Sequence, residues 1–365
     1  MKKNKILIIS HLYPSEGHPT NGIFVHKMNL ALRSQGPKLT VISPRVFSRS
    51  NVSRKAMVGD ISVLYPRYFS FSRYLIRLSS WFALRAVRKK IKDKNPDLIL
   101  AHTALPDGYI AKKLSRRLKI PYFVYIHGAD VQHKINFSHK TKELIIDVLA
   151  GAKKVFVNSS KTKRLVGELG IDSVIIPMGV DEINKKDKIQ NTKMVRLISV
   201  CNLQKEKGIQ YAIEAVKNIK REDLEYLIIG SGSYEPELKK LAKPDKRIKF
   251  LGRLGQKEVF DNLQKSDIFV LPSYNEAFGV AYLEAMSFGL PIIGIKGQGV
   301  EDIVAKGECG ILVESQSTEA VRIALEKMIS DKTLTIKMGQ IGQKIVSQNY
   351  LWYKITKKFI GELIK

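Results

Sequence analysis

Glu276 and Glu284 are the residues of this chain with the most visible chemical potential. They lie eight positions apart, and Glu284 is the only charged residue in the nineteen from Ala277 to Ile295. That stretch, AFGVAYLEAMSFGLPIIGI, spells a small-residue entry, a short apolar helix, a Gly-Leu-Pro stop and a buried strand. A carboxylate in so apolar a helix is costly to bury unless it is hydrogen-bonded. A lone helical glutamate is ordinarily solvated, or sits at a helix start where the macrodipole favours it. Here Gly279 lets a ligand approach the backbone, and the first N–H groups of the helix are open to an anion. Glu276 before the helix and Glu284 within it flank that anion site, each able to hold hydroxyls. The pattern suits a ligand with phosphate in the middle and sugars at both ends.

The elements that must position these groups read as two α/β halves. At 365 residues the chain is too long for one ordinary core, so two domains are expected. In the first half KILIIS, KLTVISP, DLILAH, PYFVYIHG, KVFVNS and VIIPMGV read as short buried strands. Helical stretches separate them, notably Phe24 to Gln35, Asp107 to Leu118 and Lys161 to Gly170. The second half repeats the pattern with MVRLISVCNL, EYLIIGSG, RIKFLGR, DIFVLPS, PIIGIKG and GILVES. Alternating strands and helices predict parallel sheets with right-handed crossovers, hence two doubly wound, Rossmann-like domains. The polar segment Asp181 to Thr192 reads as the linker, giving domains of 1–180 and 181–344.

Hydrophobic content of 44% is that of a soluble globular protein, and the longest apolar runs are strand-length or broken by Gly and Pro. The start, MKKNKILIIS, is too short an apolar run for a signal peptide and reads as the first strand. Cys201 and Cys309 form neither a disulfide framework nor a CxxC metal site. A cytoplasmic location is expected. Of the net charge of +28, residues 1–180 carry +22, with 32 Lys and Arg against 10 Asp and Glu. An excess confined to one half points to a surface that faces something anionic.

That excess peaks between Arg54 and Lys94, where Arg73, Arg77, Arg85, Arg88 and Lys89 interleave with aromatic residues that include Trp81. Along Ser72 to Lys92, apolar residues recur at helical spacing: Leu75, Leu78, Trp81 or Phe82, Val87 and Ile91. Such a helix either faces the core with a solvated basic back, or lies on an anionic membrane surface. Basic and aromatic residues also suit single-stranded nucleic acid, but no zinc-finger spacing or RNP-like motif accompanies them, so no nucleic-acid partner is expected.

NEAFGVAYLEAMSFGLPII resembles the E-x7-E signature of retaining GT-B glycosyltransferases of family 4. Its companions run in order along the chain: PTNGIFVH, HGAD at His127 to Asp130, QKEKG ending at Lys207-Gly208, IIGSGSYEPELKKLA, SDIFVLPS and GQGVEDIV. The closing residues, 345–365, resemble the family's C-terminal helix, which crosses back onto the first domain. The resemblance implies a GT-B fold, with two Rossmann-like domains facing across a cleft.

It also implies roles. Glu276 would bind hydroxyls of the transferred sugar and Glu284 the ribose of the nucleotide. Lys207 would neutralise the diphosphate as a point charge, with N–H groups of Ala277, Phe278 and Gly279 completing the anion site. Gly22 would let the N-terminal loop pass close to phosphate and sugar, and Gly230, with Gly232, would tighten a turn beside the nucleotide. His127 resembles the histidine that contacts the donor sugar. The family usually has an arginine where this chain has Asn202, which replaces a bidentate cationic grip with a neutral hydrogen bond. Arg253 or Arg196 are the cations available to compensate. Met178 likewise stands where an IPNGVD-like segment has Asn.

Double displacement would need a nucleophilic carboxylate, for which only Glu276 and Asp130 are candidates. The resemblance instead implies front-face substitution, with the leaving diphosphate helping to deprotonate the acceptor and domain closure excluding water. No D-x-D triplet or ligand cluster occurs, so no metal and no cofactor beyond a nucleotide-sugar co-substrate is expected, UDP before GDP. GHPTNGIFVH with ALPDGYIAKKL resembles transferases of teichuronic-acid, capsule and exopolysaccharide assembly. The expected partners are therefore a nucleotide-sugar donor, a lipid-linked saccharide acceptor and the anionic inner face of a bacterial membrane. The competing readings are a nucleotide-sugar epimerase of the same fold and a non-catalytic basic binding protein.

Overall fold

The computed structural model describes residues 4–47, 55–71, 75–91, 94–183 and 194–364. Arg73, both ends of the expected helix 72–92 and residues 184–192 of the expected linker lie outside them. The chain divides into two compact units, Met1–Met178 with Trp352–Lys365, and Gly179–Leu351.

The first unit contains strands β1 (Lys5–Ile9), β2 (Lys38–Ile42), β3 (Arg45–Val46), β4 (Lys55–Val58), β5 (Ile61–Leu64), β6 (Arg67–Tyr68), β7 (Leu98–Ala101), β8 (Tyr122–Ile126), β9 (Lys154–Val157) and β10 (Val174–Ile175). Eight of them form a sheet in the order β10-β9-β8-β7-β1-β2-β5-β4, while β3 and β6 pair separately. Central strands are apolar along their whole length, as in YFVYI of β8, because helices cover both faces of a parallel sheet. The chain winds from β1 to β2 and β5 in one direction, then from β7 to β10 in the other, so it reverses between β1 and β7. One edge departs from the expected all-parallel sheet: β4 runs antiparallel to β5, with Lys55 opposite Leu64. Each of these strands is four residues long, too short for its alternation to be read from the sequence.

The second unit is a six-stranded parallel sheet of β11 (Val195–Val200), β12 (Leu224–Ile229), β13 (Ile248–Gly252), β14 (Ile268–Val270), β15 (Ile292–Ile295) and β16 (Gly310–Val313). Its order is β13-β12-β11-β14-β15-β16, so the reversal falls between β11 and β14. In open α/β sheets, ligands bind outside the carboxyl ends of the strands at such a reversal.

The expected start of the closing helix at 345 falls inside helix Lys332–Asn349, which belongs to the second unit. The final helix is Trp352–Ile364, and it packs on the first unit. Phe359 is fully buried, 4.8 Å from the ring of Phe156 and 5.8 Å from that of Tyr125. Lys154 Nζ donates to Glu362 Oε2 at 2.9 Å, tying the helix to β9. Truncating Phe359 to alanine would cost roughly 3–5 kcal/mol.

Candidate functional site

In the second unit, the loops that leave β11 and β14 bring Lys207 and Glu276 together. Lys207 Nζ donates to Glu276 Oε2 at 2.7 Å, and both side chains are largely buried. Lys207 ends a short 3-10 turn, Lys205–Lys207, that is stitched to the β14 loop. The amide of Tyr274 donates to Glu206 O at 3.0 Å, and Ser273 Oγ donates to the same oxygen at 3.2 Å. Gly208 follows in the left-handed conformation at φ 72. Glu276 is pinned from the β15 side as well, since its amide donates to Gln298 Oε1 at 3.0 Å and its carbonyl accepts from Gly299 N at 3.2 Å. Burial pushes the Lys207 ammonium down, but the charge and hydrogen bond of Glu276 outweigh it, and the net pKa is raised. Lys207 is therefore a fixed cation at the reversal point of the sheet.

Helix Val280–Ser287 begins just after this pair, with Gly279 at φ 86 as its N-cap. A Cβ on Gly279 would lie 2.4 Å from Tyr282 Cδ2, so the fold itself requires glycine there. Tyr282 is fully buried and donates to Leu271 O, fixing the helix against the strand. Ala277 is half-buried, whereas Phe278 turns its side chain into the core, its ring 6.1 Å from that of Tyr350. Glu284 is half-buried in the second turn of the helix.

Several expectations change here. Gly230 and Gly232 are close-approach glycines, because a Cβ on either would strike Cys201 O at 1.8 Å or Leu203 O at 2.2 Å. They zip the β12 loop to the β11 loop, where Tyr234 N donates to Leu203 O at 2.9 Å. Asn202 is exposed in that β11 loop. Arg196 cannot take over from the missing arginine. It lies at the amino end of β11, paired with Glu225 at 2.5 Å, and four residues of strand, about 13 Å, separate it from Val200. Arg253 follows β13 at the carboxyl end of the sheet and is exposed.

In the first unit, three histidines gather at the reversal between β1 and β7. His11, His102 and His127 each follow within two residues the ends of β1, β7 and β8. His102 Nδ1 and His127 Nε2 share a hydrogen bond at 3.1 Å. Phe24 packs edge-on against His127 with centroids 4.8 Å apart, and Asn158 Nδ2 donates to its carbonyl at 3.2 Å. Burial drives the His102 imidazole down to about 4, with Asp107 opposing, and holds His127 well below its usual value together with the neighbouring His102 and His11. Both rings are therefore neutral at pH 7.

Asp107, fully buried, grips His11 twice: Oδ1 accepts from the His11 amide at 2.9 Å and Oδ2 lies 3.0 Å from Nδ1. Thr103 Oγ1 donates to Oδ2 at 2.9 Å. A carboxylate oxygen only accepts, so the His11 proton lies on Nδ1. Sequence reasoning found His127 and missed His11, His102 and Asp107. The available signal was a histidine directly after three strand-like runs, but the strand order that makes them neighbours is not written in those runs.

Asp130 is not placed as a nucleophile. It is 1% exposed, with Oδ2 accepting from Ala104 N at 3.0 Å and Oδ1 from Lys134 Nζ at 2.9 Å. Gly22, at φ 68, abuts the Leu12 carbonyl, which a Cβ would approach to 2.3 Å, so it too serves its own loop. Met178 is 2% exposed, and Tyr125 Oη donates to its sulfur at 3.5 Å, so the residue at that position fills the core.

Helix Ile76–Arg88 also departs from expectation. It buries Ser79, Ser80, Ala83, Leu84 and Val87, while Leu75, Leu78 and Trp81 are 50%, 40% and 39% exposed. The predicted apolar stripe therefore splits: Val87 and Ile91 join the core, Phe82 packs against it partly buried, and Leu75, Leu78 and Trp81 face outward. Arg77, Arg85 and Lys89 are exposed, Arg85 stacking over Trp81 at 4.9 Å, and Arg88 is half-buried.

Comparison with known proteins settles the family. Residues 22–182 match the model described as Glycosyltransferase Family 4, and residues 180–345 that described as Glycosyl transferases group 1. The chain belongs to the group 1, family 4 glycosyltransferases. It is 28% identical over 351 residues to TuaC of Bacillus subtilis (strain 168), named for teichuronic acid biosynthesis, covering 88% of each protein. Sucrose-phosphate synthase from Thermosynechococcus elongatus superposes with a TM-score of 0.85 at 18% identity, covering 99% of this chain and 98% of that one. HepE of Anabaena, in complex with UDP and glucose, superposes with a TM-score of 0.78 at 18% identity, covering 99% and 100%. The fold of this glycosyltransferase is GT-B.

Proposed function

We propose that this glycosyltransferase moves a sugar, with retention of configuration, from a UDP-sugar to a lipid-linked or saccharide acceptor during assembly of a bacterial surface polysaccharide. The observation that carries the reading is the Lys207–Glu276 contact at the reversal between β11 and β14. A buried cation there meets the charge of a diphosphate, and the N–H groups of Ala277, Phe278 and Gly279 add donors at a helix start. Glu276 holds hydroxyls of the transferred sugar, and Glu284 holds the ribose. His127, neutral and oriented by His102, exchanges a hydrogen bond with the donor sugar. UDP is favoured because HepE, of the same fold, holds UDP and glucose. A surface-polysaccharide acceptor is favoured by the name of TuaC.

In the proposed step the anomeric carbon–oxygen bond to the diphosphate breaks, and its electron pair leaves with the diphosphate. The acceptor oxygen bonds to the same face of that carbon, and its proton passes to a diphosphate oxygen. Lys207 stabilises the departing charge, so no divalent metal is invoked. Among the described residues no group of three His, Cys, Asp or Glu is arranged to hold one.

We place the enzyme peripherally on the inner membrane face. Supporting this is the exposed Leu75, Leu78 and Trp81 stripe beside Arg77, Arg85 and Lys89. No described helix is long and apolar enough to cross a membrane.

A panel of UDP-, GDP- and ADP-sugars, scored for protection against thermal unfolding with and without EDTA, tests the donor reading. Turnover in the presence of membrane-lipid extract, with NMR of the product anomer, tests acceptor and stereochemistry. Protection by no donor would sink the proposal, and an inverted product would sink its mechanism.

A further inference from the structure

We propose that a groove in the first unit, between helix Ile76–Arg88 and helix His139–Ala150, binds one lipid phosphate, its hydrocarbon chain along the wall and its phosphate on the rim. The inference rests on the reading that the acceptor is lipid-linked, and it says where the lipid lies. The groove has a volume of about 970 Å³. Leu75, Leu78, Trp81, Tyr109 and Leu144 make its apolar wall. The first three are outward-facing residues of a helix whose opposite side is already packed against the core. That helix thus has two apolar faces, and among the described residues only one is packed against the core.

Charge selects the occupant. Arg77 and Lys140 line the groove, both exposed, and neither forms an ion pair among the described residues. The groove also holds two carboxylates, Asp147 and Glu143. Asp147 is matched by Lys112 at 2.7 Å, and Glu143 lies 3.4 Å from His139 Nδ1. With Asp147 matched by Lys112, Arg77 and Lys140 outnumber the remaining carboxylate, Glu143, by one, so the groove carries a net positive charge and accepts an anion. An apolar wall beside two cations matches a single-chain amphiphile with a phosphate head. Tyr109 adds a positional argument. It stands two residues after Asp107, the carboxylate that grips His11, so the groove wall and the histidine cluster share one turn.

Dodecyl phosphate below its micelle concentration is the probe, and Trp81 fluorescence is the reporter. The chain's other tryptophan, Trp352, is 5% exposed. Wild type should give a saturable one-to-one change that Trp81→Phe lacks. Leu78→Asp, at a site exposed enough to accept a charge, should weaken binding at least about 10-fold, because it puts a carboxylate against the chain. Lys140→Glu should weaken dodecyl phosphate by about 10-fold through loss of a charged partner, and inorganic phosphate alone should produce no change. Failure to saturate, or equal affinity in Leu78→Asp, would overturn the site. A response to vesicles of anionic phospholipid with none to dodecyl phosphate would also overturn it, leaving the face to membrane contact alone. UDP protection against unfolding, measured on the same proteins, should survive Leu78→Asp. Loss of that protection in wild type would overturn the donor reading and leave the groove standing.

Discussion

Gly208 and Pro272 are so close that a Cβ on residue 208 would lie 2.0 Å from the Pro272 carbonyl oxygen. This contact presses the turn carrying Lys207 onto the loop carrying Glu276. Gly208 is also left-handed at φ 72, so alanine there meets both strain and a clash. Gly208→Ala should cost roughly 1–3 kcal/mol of stability and abolish protection by a nucleotide sugar. A variant with wild-type melting and wild-type UDP protection would show that the backbone approach does not set the site.

Lys207 and Glu276 should separate when probed with UDP and with UDP-sugar. Lys207→Met removes the cation, so UDP itself should bind roughly 10–100-fold more weakly, the worth of a charged hydrogen bond. Glu276→Gln keeps Lys207 and acts on the sugar, so UDP affinity should change less than about threefold while transfer falls by about 10²-fold or more. Calorimetry with UDP and initial-rate kinetics decide it. Equal loss of UDP affinity in both variants would mean that Glu276 serves only to hold Lys207.

What the chain made legible follows from how local each cause is. Continuous apolar runs such as YFVYI declare buried parallel strands by themselves, and twelve of the sixteen strands among the described residues overlap segments that read as strands in the sequence. The four others lie between residues 45 and 68 and span only two to four residues each, too short for a periodic pattern to stand out. Glu276 and Lys207 were visible through motif and spacing, but their 2.7 Å contact, between residues 69 positions apart, depends on β11 lying beside β14. His11 and Asp107 escaped notice for the same reason, since only the β1/β7 adjacency makes them partners. Helix 76–88 shows the opposite failure. Its periodicity was plain, yet small residues Ser79, Ser80 and Ala83 took the core side with Leu84 and Val87, while Leu75, Leu78 and Trp81 were left outside.

The histidine cluster sets an acid limit on stability. His102 is neutral in the folded protein because burial lowers it from 6.5 to about 4, and His127 is lowered in the same direction. The unfolded chain binds those protons first, so stability is present in full above about pH 6.5 and is lost as pH falls toward 4. The loss through His102 should be on the order of 1–3 kcal/mol. Urea melts at pH 7 and pH 5 should show it, and His102→Gln should flatten the slope. An unchanged slope would place the acid sensitivity elsewhere, with Asp107, which opposes the lowering of His102 and hydrogen-bonds His11, the first alternative.

Membrane association should follow the outward face of helix Ile76–Arg88. Arg85, fixed over Trp81 at 4.9 Å, and Lys89 at the helix end present cations beside exposed apolar side chains. Each basic residue near an anionic surface contributes about 1 kcal/mol, so reversing both to glutamate should weaken binding by roughly 30-fold or more. Co-sedimentation with vesicles containing anionic lipid, compared with purely zwitterionic ones, provides the measurement. Wild type should sediment only with the anionic vesicles and release as salt is raised, since charge attraction is screened over about 8 Å at physiological ionic strength. The Arg85→Glu, Lys89→Glu double variant should stay in solution while keeping UDP protection. Binding that is indifferent to lipid charge, or to these two reversals, would transfer the interaction to another face of the first unit.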